Sequence, residues 1–119
     1  MADNSVYFTK EYNIAADDLF IICVDTFENI KKGNITKGDA HMGKIEAFVG
    51  NRMFGRPAKF ILSVTPIDRF NSSLSVETYE SNPYGTRNPL GSKGKAEKDM
   101  TKFVDELEKR IERFLLKYG

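Results

Sequence analysis

The segment AEKDMTKFVDELEKRIERFLLKY, residues 96–118, decides the fold. Its apolar residues fall at Met100, Phe103, Val104, Leu107, Ile111, Phe114, Leu115 and Tyr118. Spacings of three and four place them on one face of an α-helix. The other face carries Lys98, Lys102, Asp105, Glu106, Lys109, Arg110, Glu112, Arg113 and Lys117. Asp105–Lys109 and Glu106–Arg110 stand at the acid-first i,i+4 spacing that supports a helix by a few tenths of a kcal/mol per pair. At ~1.5 Å per residue the helix is about 33 Å long, which exceeds any strand pattern in the chain. A helix with one long apolar stripe needs a flat layer beneath it, and the remaining sequence is expected to form that sheet.

Upstream of this helix the apolar period changes from helical to alternating. Val6 to Ile14 alternates as an antiparallel strand with one wet face does. Asp17 and Asp18 then precede Leu19, Ile22 or Cys23, Phe27 and Ile30 at helical spacing, and Lys31-Lys32-Gly33 carries the cations and glycine that suit a helix end. A buried strand through Phe20 to Val24 competes with this reading. The helix is preferred because the pattern outlasts a typical strand. Ile35 and Thr36 suggest a short strand. Lys44 to Val49 alternates with Ile45, Ala47 and Val49 on one side, Lys59 to Thr65 with Phe60, Leu62 and Val64, and Leu74 to Tyr79 with Leu74, Val76 and Thr78. Residues 51–57 and 68–73 are hairpin-length connections rich in turn formers. Residues 82–95 form the one long irregular segment.

The expectation is therefore a single α+β domain over residues 1–119, a two-layer sandwich in which two helices cover an antiparallel β-sheet of four or five strands. The order is β-α-β-β-β-(β)-α, ending in the long helix. A terminal helix gripping a curved sheet, over the patterns Gly43–Val49, Phe60–Val64 and Leu74–Tyr79, resembles the helix-grip fold of START-type lipid-transfer and polyketide-cyclase-like proteins, and also small uncharacterised prokaryotic domains. That resemblance implies ligand binding between helix and sheet, although 119 residues leave little room for the large cavity of full-length members. It carries over no functional residue.

Composition narrows the function. Eighteen Lys and Arg against 17 Asp and Glu leave a net charge of +1, which supplies no global field for nucleic acid, so no strong nucleic-acid binding is expected. The single cysteine, Cys23, sits in an apolar run and reads as a buried thiol rather than a nucleophile. With His41 the only histidine, no zinc-spaced cluster and no supported catalytic triad exists, so no catalytic residue, metal or cofactor is assigned. The N-terminus has no signal-peptide pattern, and the longest apolar run, Leu19–Val24, is too short to span a bilayer. The simplest compartment on this reading is the cytoplasm.

One constellation remains. Two successive hairpins would bring the 51–57 turn and the 82–95 segment to the same end of the sheet, collecting Arg52, Arg56, Arg87, Lys93 and Lys95 around Met53, Phe54 and Tyr84. The glycine-rich part of this segment lacks the phosphate-loop pattern. It does run into a helix N-terminus, where free N–H groups and the helix dipole favour an anion. A mobile basic connector explains the same residues more simply. The functional expectation is a non-enzymatic binding module for an anionic or amphipathic small ligand, or an acidic protein segment, at this basic end. The alternative is a structural or interaction protein that forms a homo-oligomer, such as a homodimer, through a sheet edge or the C-terminal helix.

Overall fold

The computed structural model describes residues 4–50, 56–82 and 84–118. Strand β1 (Val6–Tyr12) leads into helix α1 (Ala16–Asn29), followed by β2 (Gly33–Asp39), β3 (Lys44–Val49), β4 (Ala58–Pro66), β5 (Ser72–Glu80) and helix α2 (Lys93–Tyr118). The sheet order is β1-β5-β4-β3-β2, antiparallel throughout. The α+β class and element order match the expectation. Residues 20–24 are helical, so the competing strand is excluded. β2 is seven residues long rather than an Ile35–Thr36 fragment, because it is templated along the whole of β3 from Gly33↔Val49 to Asp39↔Lys44.

Alternation decides which face of the sheet is covered. Ala58, Phe60, Leu62 and Val64 of β4 lie beside Leu74, Val76 and Thr78 of β5 and Ile45 and Ala47 of β3, all buried. Helix α1 contributes Leu19, Ile22, Cys23 and Phe27 to this layer, and α2 contributes Ala96, Met100, Phe103, Leu107 and Ile111. Three rings close the middle. Phe103 stacks on Phe27 with centroids 4.5 Å apart, and Phe60 meets Phe27 at 5.4 Å and Phe103 at 5.3 Å. Together with Leu62 and Leu107 these side chains are fully buried, so the space between helices and sheet is a filled core.

The link between α1 and β2 departs from the expected glycine helix end. Lys32 takes the left-handed φ of 63°. Gly33 is required for a different reason: a Cβ there would lie 2.2 Å from the Phe27 carbonyl oxygen.

Helix α2 outruns the sheet. Its buried stripe ends at Ile111, Phe114 is half-buried, and Leu115, Leu116 and Tyr118 are exposed, so the expected burial of Leu115 and Tyr118 does not hold. The helix is tied down instead by tertiary ion pairs. Arg110 Nη1 reaches Asp25 Oδ2 of α1 at 2.7 Å, and Glu108 Oε2 accepts hydrogen bonds from Lys10 Nζ at 2.6 Å and Tyr12 Oη at 2.9 Å. Lys10 in turn holds the Glu108 carboxyl below its usual range. The expected Glu106–Arg110 pair is replaced by Arg110–Asp25, and Lys109 lies 3.6 Å from Glu106.

Candidate functional site

Strands β3 and β5 run in the same direction, so the β3–β4 connection and the segment after Glu80 leave the sheet at one end, as the hairpin count requires. Arg52, Met53 and Phe54 lie outside the described residues. Of the other candidates, Arg56, Tyr84 and Lys93 are exposed. Lys95 Nζ is paired with Asp99 Oδ2 at 3.0 Å. Arg87 is drawn away from the rim onto the outer face of the sheet. Its guanidinium lies 4.9 Å from the Tyr79 ring, and Nη2 donates to Glu77 Oε2 at 2.9 Å and to Ser5 Oγ. Ser5 Oγ donates in turn to Glu77 Oε2 at 2.7 Å.

Arg87 follows from the way the preceding loop folds. Phe48, Lys59 and Tyr79 are register neighbours on the sheet face away from the helices. Two aromatic rings there need a cover, and Asn82 with residues 84–86 provides it. The Tyr79 hydroxyl donates to the Gly85 carbonyl at 2.9 Å, while Asn82 Oδ1 accepts the N–H groups of Tyr84 at 2.9 Å and Thr86 at 3.2 Å. Gly85 has φ 89°, and a Cβ there would stand 3.2 Å from Phe48 Cζ. A residue with a side chain would therefore strain the turn and push the cover off. Phe48 and Tyr79 are buried as a result, and burial raises the Tyr79 pKa above its ordinary value. The segment expected to be a mobile connector is, in this half, a hydrogen-bonded flap.

The other half starts α2 and supplies its own anion. Ser92 Oγ accepts the Lys95 N–H at 3.2 Å, and Glu80 Oε2 accepts the Ser92 N–H at 3.0 Å. These are the two hydrogen bonds of a capping box, with its glutamate supplied from β5 instead of from the helix. Glu80 is 1% exposed, Arg56 Nη1 stands 3.9 Å from its Oε2, and its Oε1 has no hydrogen-bond partner among the described residues. The positive end of the helix thus faces a buried carboxylate of the chain itself. Glu80→Ala is expected to cost about 0.5–2 kcal/mol, the usual cost of losing a helix-capping interaction. Amide exchange at Ser92 and Lys95 should then accelerate, and unchanged protection there would contradict the cap.

Elsewhere the chemistry is sparse. Among the described residues there is no group of three His, Cys, Asp or Glu that could hold a metal, and no helix long and apolar enough to cross a membrane. His41 is exposed in the β2–β3 turn, at the far end of the sheet from the rim. It borders a cleft of about 300 Å³ with Ala15, Phe20, Met42, Val64 and Arg69. Cys23 is buried and its thiol is pushed up to about 12 by desolvation, which leaves it protonated and unreactive near neutrality.

No protein-family model matches the chain, and no curated protein matches it significantly. The fold itself is shared. The chain superposes on the di-domain ARO/CYC protein BexL of the BE-7585A biosynthetic pathway with a TM-score of 0.63 and 8% identity, covering 91% of this chain and 46% of that one. It therefore spans less than half the length of BexL. A solution structure of a protein from Thermobifida fusca aligns with a TM-score of 0.39 and 10% identity over 67% of this chain and 75% of that one. The resemblance to polyketide-cyclase-like helix-grip domains thus holds at the level of fold, and at 8% identity it extends no further.

Proposed function

We propose that the protein is a non-enzymatic binding module that recognises an anionic amphipathic ligand, or an acidic protein segment, on the surface of its basic end. The observation that carries this reading is the presence of exposed apolar bodies and exposed cations at one end of the sheet. Tyr84 is 89% and Leu90 84% exposed on the segment that ends at Lys93, and Arg56 is exposed on the neighbouring connection. The site is shallow, because Arg87 and Lys95 are engaged by Glu77 and Asp99 and the interior is filled. A ligand held by two exposed cations, one exposed ring and one exposed leucine binds weakly. The filled core also supports the second reading, an interaction protein, since it leaves the surface as the place of contact.

A thermal-shift series with phosphate, citrate, nucleotides and a short fatty acid at constant ionic strength tests the first reading. Binding to the native state alone raises stability by RT ln(1 + [L]/Kd), about 2.7 kcal/mol at a hundredfold excess over Kd. The fatty acid should stabilise more than phosphate, and Arg56→Gln/Lys93→Gln should abolish the difference. Equal shifts in both proteins would mean a general salt effect and no site.

A further inference from the structure

The sheet has two borders, and the sequence treats them differently. β2 is blunted by Gly33, Gly38 and a register shift between Ile35 and Lys37, features that keep a sheet edge from recruiting another strand. β1 has no glycine and no register shift, and its inward-facing charge, Lys10, is paired with Glu108. Its seven residues, VYFTKEY, hold an unshifted register with β5 from Val6↔Thr78 to Tyr12↔Ser72. From Phe8 to Tyr12 no described residue pairs with its outward edge.

A groove runs beside that edge on the helix side. It measures about 370 Å³ and is bordered by Lys10 and Tyr12 of β1 and by Glu108, Ile111, Glu112, Leu115 and Leu116 of α2. Leu116 is 83% exposed. Because Lys10 and Tyr12 point to the helix side, a strand added at ~4.8 Å from β1 would direct every second side chain beside this groove. The local charge is acidic. Lys10 is taken by Glu108, whereas Glu112 at the groove and Glu11 on the outer face have no hydrogen bond or ion pair among the described residues.

We propose that the β1 edge and the β1–α2 groove together form a docking site for an extended, basic segment of a partner protein, which adds a sixth strand to the sheet. Main-chain hydrogen bonds to β1 supply affinity. Alternate apolar side chains in the groove between Ile111 and Leu116, and lysine or arginine near Glu112 and Glu11, supply selectivity, the usual division of labour when a peptide extends a sheet. A second copy of this chain fits less well. It would bring the same open acids to the seam, and its own Lys10 is already committed to Glu108.

The test uses seven-residue peptides, Ac-KXKKKXK-amide with X as V, L, M or F, whose second, fourth and sixth residues share one face and bring two apolar side chains and one lysine to the groove, their glutamate counterparts, and an N-methylated form of the tightest binder. Fluorescence anisotropy gives the affinity, and amide chemical shifts of the full chain locate it. At least one basic peptide should bind, with shifts confined to residues 8–12 and 108–116. Its glutamate and N-methylated forms should fail to bind. Glu112→Lys, an exposed substitution on the helix surface, should weaken binding about tenfold, and Leu116→Asp should do the same. Failure of all basic peptides at millimolar concentration, equal binding of acidic ones, or shifts elsewhere would overturn the proposal. Concentration-dependent dimerisation that protects the β1 amides without peptide would also overturn it, by assigning the edge to a second copy.

Discussion

Replacing Phe103 with alanine is expected to remove about 3–5 kcal/mol of stability, the cost of deleting a buried ring and leaving the space behind. The ring lies at the junction of three elements, stacked on Phe27 of α1 and tilted against Phe60 of β4. Each aromatic pair adds about 0.5–1.5 kcal/mol beyond the area it buries. The neighbours cannot close the hole, because α2 is pinned on both sides by Arg110–Asp25 and Lys10–Glu108. Against a total of about 5–15 kcal/mol for a domain of this kind, the variant should stand near the edge of unfolding. Urea denaturation at neutral pH measures the change. A midpoint within error of the parent would mean that the ring borders empty space.

The second large effect is alkaline. Burial raises the pKa of both Cys23 and Tyr12, and the Glu108 carboxylate that accepts the Tyr12 hydrogen bond raises the phenol further. Both groups are neutral when protonated, so the unfolded chain loses these protons first. Their stabilising contribution is complete below the unfolded value, 9.0 for the thiol, and is lost as pH rises toward the folded one, about 12 for Cys23. At pH 11 the thiol alone should cost about 3 kcal/mol relative to pH 8. Denaturation midpoints from pH 8 to 11 should fall for the parent and fall less for Cys23→Ala, whose difference from the parent isolates the thiol from other titrations. Parallel pH profiles for the two proteins would show that the thiol is not desolvated.

The fold was legible wherever a local period reported a face. Phe60, Leu62 and Val64 alternate because β4 has one buried side, and Met100, Phe103 and Leu107 repeat because α2 has one apolar stripe. A period cannot say how far the partner surface extends, so Leu115 and Tyr118 fit the stripe while standing beyond the sheet. Nor can it reveal a strand made by its neighbour. β2 has little alternation of its own, and its length comes from pairing with β3.

The candidate site was legible as a set of cations and illegible as a balance of charges. Hairpin counting places the 51–57 and 82–95 connections at one end from sequence alone. The groups that hold this segment come from elsewhere: the Glu77 carboxylate and the Ser5 hydroxyl converge on Arg87 from β5 and from the residue just ahead of β1, and Glu80 reaches the Ser92 N–H across twelve residues of chain. The Ser92 cap went unread, because its glutamate stands on β5 instead of at the third helical position. The same limit moved Arg110 from Glu106, its helical neighbour, to Asp25 on the facing helix.

That aromatic side chains fill the space between the helices and the sheet, which is why the proposed contact is set on the surface, is tested most directly by ring-to-ring nuclear Overhauser effects in the ligand-free protein. Strong effects are expected between Phe27 and Phe103 and between Phe27 and Phe60, whose centroids lie 4.5 and 5.4 Å apart, and a saturating fatty acid should leave them unchanged. Weak or absent effects that give way to ligand contacts at Phe27, Phe60 and Phe103 when the fatty acid is added would contradict it.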